Sequence, residues 1–204
     1  LNQIRFFTGK DFILTSNELK LLYQQDPLLY TKSETSIPLE KANITENGIF
    51  LSLDLDEEIV GYMAKKNAMP INLTKKGFHQ WQEFWEAIPK PKSSRLILDP
   101  QYFYILKSKE KFRVPLEYSS EMSAFHSGVG EFRSHYAGFF DPGWGYGRGE
   151  MKGAHAVLEV RMRDVPMEVY DGQTFVKMFF ERNVVKPDVA YGEKLVGSNY
   201  HGQS

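Results

Sequence analysis

The feature that most restricts the fold of this sequence is the succession of short β-type segments that follows Arg95. These segments are rich in β-branched and aromatic residues, and turn signals separate them, among them Asp99-Pro100, Ser108-Lys109-Glu110, Asp141-Pro142-Gly143 and Asp171-Gly172. Many short strands at such spacing predict a barrel or a jelly roll, so we expect a mainly β protein. The segments are RLILD, YFYILKS, KFRVPL, FRSHYAGFF, AHAVLEVRMR, MEVYDG and QTFVKMFFERN.

Residues 1–95 combine helix and strand signals. We expect them to be the first part of a single domain over residues 1–204, with a β-roll core at 96–204. Thr15 followed by Glu18 is the pattern of a capping box and predicts a short helix in TSNELKLLYQQ, which Asp26-Pro27 should end. GIFLSLDL alternates as a strand does and predicts a strand over Gly48–Leu55. The apolar face of the helix would consist of Leu19, Leu22 and Tyr23.

A second helix is predicted near residues 74–88, in TKKGFHQWQEFWEAI. Thr74 would cap this helix, and Pro89 and Pro91 would end it. Its large apolar side chains recur at helical spacing, which is more typical of a stripe that faces the core than of a ligand platform. The residues on that face would be Phe78, Trp81, Trp85 and Ile88.

The 204 residues include no cysteine. This excludes disulfides, cysteine nucleophiles, iron–sulfur clusters and the zinc base deaminases, whose metal requires Cys ligands. The net charge of -1 gives no electrostatic signature for nucleic acid, and no apolar run is long enough to span a bilayer. We therefore expect a cytoplasmic protein that binds neither nucleic acid nor a membrane. Because the sequence begins with Leu1 rather than Met, we also expect a fragment of a longer chain.

The segment AHAVLEVRMR carries the most informative charge pattern. In a strand, Leu158, Val160 and Met162 would point to one side, and Val157, Glu159, Arg161 and Arg163 would point to the other. One interpretation of the second set is a solvated charged face. The other interpretation places Glu159 at a subunit seam or pocket, where desolvation would raise its pKa and suit it to proton transfer.

Other motifs point away from several known chemistries. DPGWGYGRGEMKG lacks the Gly-Lys-Ser/Thr signature of a phosphate-binding loop and is typical of a long hairpin connection. The five histidines have no metal-ligand spacing, so we predict no metal site on the protein. The C-terminal GSNYHGQS is either a fraying tail or a segment that orders over a ligand. In the second case Tyr200 would stack or hydrogen-bond, and Gln203 would read an amide edge.

Taken together, AGFFDPGWG, VLEV, GQTFVKMFFER and SNYHGQ resemble the dCTP deaminases of the dUTPase-like trimeric superfamily. The resemblance runs from about Leu96 to the C terminus and extends more weakly to GIFLSLDL. The order and spacing of these elements make it specific. GEFRSHYAGFFDPGWG and FWEAI look most like the long, duplicated bacterial form, in which one chain carries two such domains. This chain would be the second half.

The resemblance implies a distorted jelly roll, or β-clip, with a few short helices in its N-terminal part. It also implies a homotrimer, or a pseudo-hexameric trimer of duplicated chains, with sites between subunits. The family's reaction is the hydrolysis of dCTP to dUTP and ammonia, with Mg²⁺ bound through the triphosphate and no zinc. The catalytic Glu of the family corresponds to Glu159, which would take a proton from the attacking water and pass it to the leaving amine. The resemblance assigns nucleotide contacts to Ala137, Asp141, Val157, Leu158, Tyr191, Tyr200 and Gln203.

The sequence departs from the family pattern where the triphosphate should bind. The family's Arg-Ser-Ser stretch and the Arg that follows it fall on Ser123, Ala124, Phe125 and Gly128, so its guanidinium groups are absent. Arg133 or Lys177 are candidates for the missing charge, and the first half of a duplicated chain could supply the phosphate motif instead. Two alternatives follow, namely a non-catalytic half that fixes trimer geometry and a dUTP diphosphatase.

Overall fold

A computed structural model describes residues 12–66, 68–75, 77–124, 132–134, 138–146, 151–162 and 164–193. The predicted first helix is present as α1 (Ser16–Gln25). Its capping box forms as the sequence indicates: the Thr15 N–H donates to the Glu18 carboxylate at 2.8 Å, and the Glu18 N–H donates to the Thr15 hydroxyl at 3.3 Å. Leu19 and Tyr23 are buried, which confirms the predicted apolar face.

The remaining structure in the described residues is mainly β, with two single 3₁₀ turns at Leu39–Lys41 and Trp81–Glu83. This confirms the predicted fold class. In chain order the strands are β1 (Leu29–Tyr30), β2 (Ile44–Thr45), β3 (Gly48–Ser52), β4 (Ile59–Ala64), β5 (Trp85–Pro89), β6 (Arg95–Leu98), β7 (Phe103–Phe112), β8 (Tyr118–Ala124), β9 (Phe132–Ser134), β10 (Phe139–Phe140), β11 (Ala154–Met162), β12 (Met167–Tyr170) and β13 (Thr174–Arg182).

The strands form two main antiparallel sheets and a separate pair. The first sheet has the order β5-β4-β7-β11-β9, and β1 also pairs with β7. The second sheet has the order β10-β8-β13-β3-β2, and β12 pairs with β6. Buried side chains from both sheets, such as Leu106 and Leu158 from the first and Leu51 and Met178 from the second, belong to one hydrophobic cluster. This shared core fixes which face of each strand is turned outward.

The prediction of a second helix near residues 74–88 is wrong. Residues of this segment instead form the 3₁₀ turn Trp81–Glu83 and strand β5, whose residues pair with β4. Phe78 and Trp81 are exposed rather than in the core. The apolar residues of this segment recur at helical spacing, but their backbone can also pair with the edge of β4. This pairing with a distant strand overrides the local pattern.

Two strands differ in extent from the prediction. The turn expected at Ser108-Lys109-Glu110 is a bulge within β7, since His155 pairs with Lys111 whereas Val157 pairs with Lys107. Three residues of β7, 108–110, therefore lie opposite the single β11 residue Ala156, so β7 has two extra residues at the bulge. The strand predicted over Gly48–Leu55 ends at Ser52, and Leu53 continues as an isolated bridge to Ser108.

Other segments were divided or missed. FRSHYAGFF was expected to be one strand, but it contains β9 and β10, which belong to different sheets. Strands β4 and β8 were not predicted, because IVGYMA and YSSEMSA have neither clear alternation nor flanking turn residues that mark them as strands. The prediction of RLIL, of AHAVLEVRM and of MEVY as strands is confirmed.

Candidate functional site

Glu159 lies in the middle of β11 and faces away from the core. Leu158 and Val160 on either side of it are fully buried, whereas Val157 and Arg161 are exposed, so the predicted division into two faces is confirmed over Ala154–Met162. Arg163, also predicted on the outward face, lies outside the described residues. Glu159 itself is half-buried. Among the described residues, its carboxylate has neither a hydrogen-bond donor nor an ion-pair partner. An unpaired carboxylate on a strand face is available to a ligand or to water.

The surface beside Glu159 is apolar and aromatic. Ile105 of β7 lies directly opposite Glu159, and Tyr62 of β4 lies opposite Ile105, so the three side chains form a row on one face of the sheet. The Trp81 ring packs edge-on against Tyr62 with centroids 5.2 Å apart. In the next row Arg161 lies over the Phe103 ring, 5.9 Å from its centroid. A flat, partly apolar ligand would find contact area here.

The DPGW sequence forms a turn after β10, over residues 141–146. It is not the expected hairpin connection, because β10 pairs with β8 whereas β11 pairs with β7. The turn is attached to the end of β7: Gly143 N–H donates to the Val114 carbonyl, and Val114 N–H donates to the Trp144 carbonyl, both at 2.9 Å. These backbone bonds hold the turn in a defined place.

Asp141 begins this turn, and Tyr191 packs against it. Partial desolvation raises the pKa of the Asp141 carboxyl above its usual range. The Tyr191 N–H donates to the Pro142 carbonyl at 2.8 Å, and the Tyr191 ring lies 5.3 Å from the ring of Trp144. The structure therefore brings two of the sequence-predicted site residues onto one support, although they are fifty positions apart in the chain.

A buried charged group anchors the far end of the turn. The Tyr146 hydroxyl and the Arg113 guanidinium both donate to the carboxylate of Asp26, and Arg113 Nε donates to the Pro27 carbonyl at 3.0 Å. The guanidinium carbon lies 4.4 Å from the centroid of the Tyr146 ring. Burial raises the pKa of Tyr146 to about 12, so the hydroxyl keeps its proton. Sequence reasoning missed this group because its members are far apart in the chain.

The remaining predicted residues fall into three groups. Val157 is exposed, and the Leu158 side chain is fully buried, so only the backbone of Leu158 can contact a ligand. Lys177 Nζ lies 3.4 Å from the Glu46 carboxylate and 4.6 Å from the centroid of the Phe179 ring, so its charge already has a partner. Arg133 is in β9, but its side chain lies outside what the structure describes. The residues that lie wholly outside the described part are Ala137, Tyr200 and Gln203.

Two further findings concern metals and membranes. Within the described ranges, no three His, Asp or Glu side chains come together as a set of metal ligands. None of the helices in that part of the chain has both the length and the apolar character needed to cross a membrane.

Comparisons with known proteins agree on one family. Residues 15–204 match the family model described as "2'-deoxycytidine 5'-triphosphate deaminase (DCD), C-terminal domain". A crystal structure of 2'-deoxycytidine 5'-triphosphate deaminase from Agrobacterium tumefaciens superposes with a TM-score of 0.73 and 37% sequence identity. The match covers 87% of this chain and 50% of that chain, so this chain spans about half the length of its structural neighbour. No match is found among curated proteins.

Proposed function

Because this chain belongs to the family of dCTP deaminase C-terminal domains, we propose that it supplies the catalytic Glu159 for the hydrolysis of dCTP to dUTP and ammonia. The observation that carries the proposal is the environment of this residue. Glu159 is half-buried, stands beside Ile105 on an apolar face, and has no partner for its carboxylate within the described residues. A carboxylate placed in this way can exchange a proton with a bound water.

The proposed chemistry needs one group that first accepts a proton and later donates it. Glu159 accepts a proton from water, and the resulting hydroxide attacks C4 of the cytosine. The protonated Glu159 then returns the proton to the exocyclic amine, the C4–N bond breaks, and ammonia leaves. The remaining proton of the C4 hydroxyl moves to N3, which gives the uracil ring of dUTP. Charge and atoms balance without a metal on the protein. The Mg²⁺ of the reaction would arrive with the triphosphate as part of the substrate.

The nucleotide contacts are proposed from the family pattern. Asp141 would contact the sugar and Tyr191 the nucleotide, and the shared support of these two residues would present them together. Ala137, Tyr200 and Gln203 would complete the contacts near the base and the C terminus. Glu159 belongs to the first sheet, whereas Asp141 follows a strand of the second. A site shared between subunits of a trimer, with phosphate ligands from another domain or copy, is also part of the proposal and is taken from the family pattern.

The test is ammonia release from dCTP by the full-length protein. Glu159→Gln keeps the size of the side chain but cannot accept a proton, so we expect kcat to fall by about 10²–10⁴-fold. The matched control is Glu168→Gln, because Glu168 is an exposed glutamate on β12 whose only described ion pair is the surface contact with Arg95. Unchanged turnover in a folded Glu159→Gln protein would contradict the assignment. Comparing dCTP with dUTP as substrate separates deamination from diphosphatase activity.

A second candidate function is a structural half that fixes trimer geometry without catalysis. It is favoured by the sequence at the end of β8, where Ser123 and Ala124 occupy positions that carry Arg and Ser in the family pattern. If this candidate is correct, Glu159→Gln in the full-length protein will leave kcat unchanged while substitutions in the other half abolish it.

A further inference from the structure

The bulge in β7 lies immediately before the strand pairs that position Glu159. On one side of the bulge His155 pairs with Lys111, and on the other side the ladder resumes with Val157 opposite Lys107. From there it continues without interruption to the pair of Glu159 with Ile105. The geometry of the bulge thus determines where β11 resumes its pairing. Since successive residues alternate between faces, it also determines how Glu159 is presented.

Ser108 lies in this bulge, and its buried side chain hydrogen-bonds to both strands. Its side chain is fully buried, and its hydroxyl donates to the Glu110 carbonyl at 2.6 Å while accepting the Ala156 N–H at 2.9 Å. The Ser108 carbonyl also lies 2.8 Å from Nδ1 of His155. One residue therefore bonds the bulged strand to itself and to the two β11 residues that precede Val157.

The second sheet holds the bulge from its other side. Leu53 forms a bridge with Ser108, and the Glu110 carboxylate accepts both the N–H and the hydroxyl of Ser52 at 2.8 and 2.6 Å. With the backbone of β7 fixed there, the Ser108 hydroxyl is the side-chain group that ties this fixed position to the backbone of β11 at Ala156. Without it, the buried N–H of Ala156 has lost its acceptor, and β11 must shift to find another.

We propose that Ser108 is a positioning residue for the reaction: its hydroxyl sets the position of β11 and so aligns the carboxylate of Glu159 with the attacking water. This inference rests on the proposed role of Glu159. Misalignment of a general base affects the chemical step more than substrate binding, because the fully buried Ser108 side chain is out of reach of a ligand. The expected signature is a fall in kcat with little change in KM.

The test uses Ser108→Ala in the full-length protein, with ammonia release from dCTP as the assay. We expect kcat to fall about tenfold or more, with KM within about twofold of wild type. The matched control is Ser120→Ala: Ser120 is also a fully buried strand serine whose hydroxyl donates to a backbone carbonyl, that of Phe179 at 2.7 Å, but it lies in the second sheet. Ser120→Ala should leave kcat within about twofold of wild type.

If Ser108→Ala does not fold, Ser108→Cys decides the question, because a thiol keeps most of the volume and is a weak hydrogen-bonding group. Its kcat should then lie below that of wild type at unchanged KM. The proposal is overturned if a folded Ser108 variant has the kcat of wild type, or if Ser108→Ala and Ser120→Ala lower kcat equally. If the wild-type protein releases no ammonia from dCTP, the proposed function itself is wrong, and the role of Ser108 is overturned with it.

Discussion

Gly145 is a position where a single added methyl group should disturb the DPGW turn. The residue has a φ of +75°, and an ideal Cβ built there would lie 2.5 Å from the Phe112 carbonyl oxygen. That oxygen is backbone at the end of β7 and cannot rotate away. Gly172 has nearly the same backbone conformation, with a φ of +76°, but a Cβ there meets no atom within 4 Å. Comparing alanine substitutions at the two glycines therefore separates the cost of steric overlap from the cost of backbone strain.

Both substitutions to alanine incur the left-handed backbone penalty of about 1–2 kcal/mol. Gly145→Ala must also displace the end of β7, and overpacking of this kind costs a further ~1–3 kcal/mol. For a domain of this size, a mid-range difference of ~2 kcal/mol corresponds to a gap of about 4–8 °C between the melting temperatures of the domain in the two variants. Urea unfolding of the purified full-length proteins, followed by circular dichroism, measures the free energies directly. Equal destabilisation by the two substitutions would refute the reasoning, because the close approach to Phe112 would then have no energetic consequence.

Two further predictions concern the core and the acid limit of stability. Leu158→Ala should lower the free energy of unfolding by about 2–5 kcal/mol because Leu158 is fully buried. Val157→Ala on the exposed face should change it by only about 0.5 kcal/mol. Similar losses of stability in urea titrations of the two variants would mean that the faces of β11 are wrongly assigned. Glu18 accepts the backbone N–H of Thr15 and pairs with Arg182, which lowers the pKa of its carboxyl to about 2. A lowered pKa means that the contribution of Glu18 is complete above pH 4.5 and disappears as the pH falls towards 2. The difference in urea midpoint between wild type and Glu18→Gln should therefore shrink over that range, and a constant difference would argue against the ion pair.

Local sequence patterns predicted those elements in which nearby residues of the same segment supply the backbone hydrogen bonds. The α1 helix is an example, since Thr15 and Glu18 are three positions apart and cap each other. The alternation in AHAVLEVRM likewise gave the two faces of β11. The same reasoning failed for β5, because its spacing is equally compatible with a helix and only the edge of β4 decides between them. The local sequence pattern does not show which distant strand a segment will pair with.

The site divides in a similar way. The sequence motifs point to Glu159, Asp141 and Tyr191, whose roles remain predictions, and the ammonia-release assay tests that of Glu159. The surroundings of these residues came from the tertiary structure: the row of Ile105 and Tyr62 beside Glu159 exists because β7 and β4 pair in one register. The anchoring of the DPGW turn through Tyr146, Arg113 and Asp26 depends on the end of α1 lying next to the end of β7.

The clearest contrast is at Ser108-Lys109-Glu110. From the sequence, three polar residues between β-type segments could be recognised as an interruption of regular pairing, and the structure has an interruption at that place. Whether it becomes a turn or a bulge depends on partners that are distant in the chain. Ser52 and Leu53 hold one side and Ala156 holds the other, so the backbone continues as β7 instead of reversing. Local chemistry determined where the strand is irregular, and long-range hydrogen bonds decided what the irregularity does, because only they satisfy the buried polar groups.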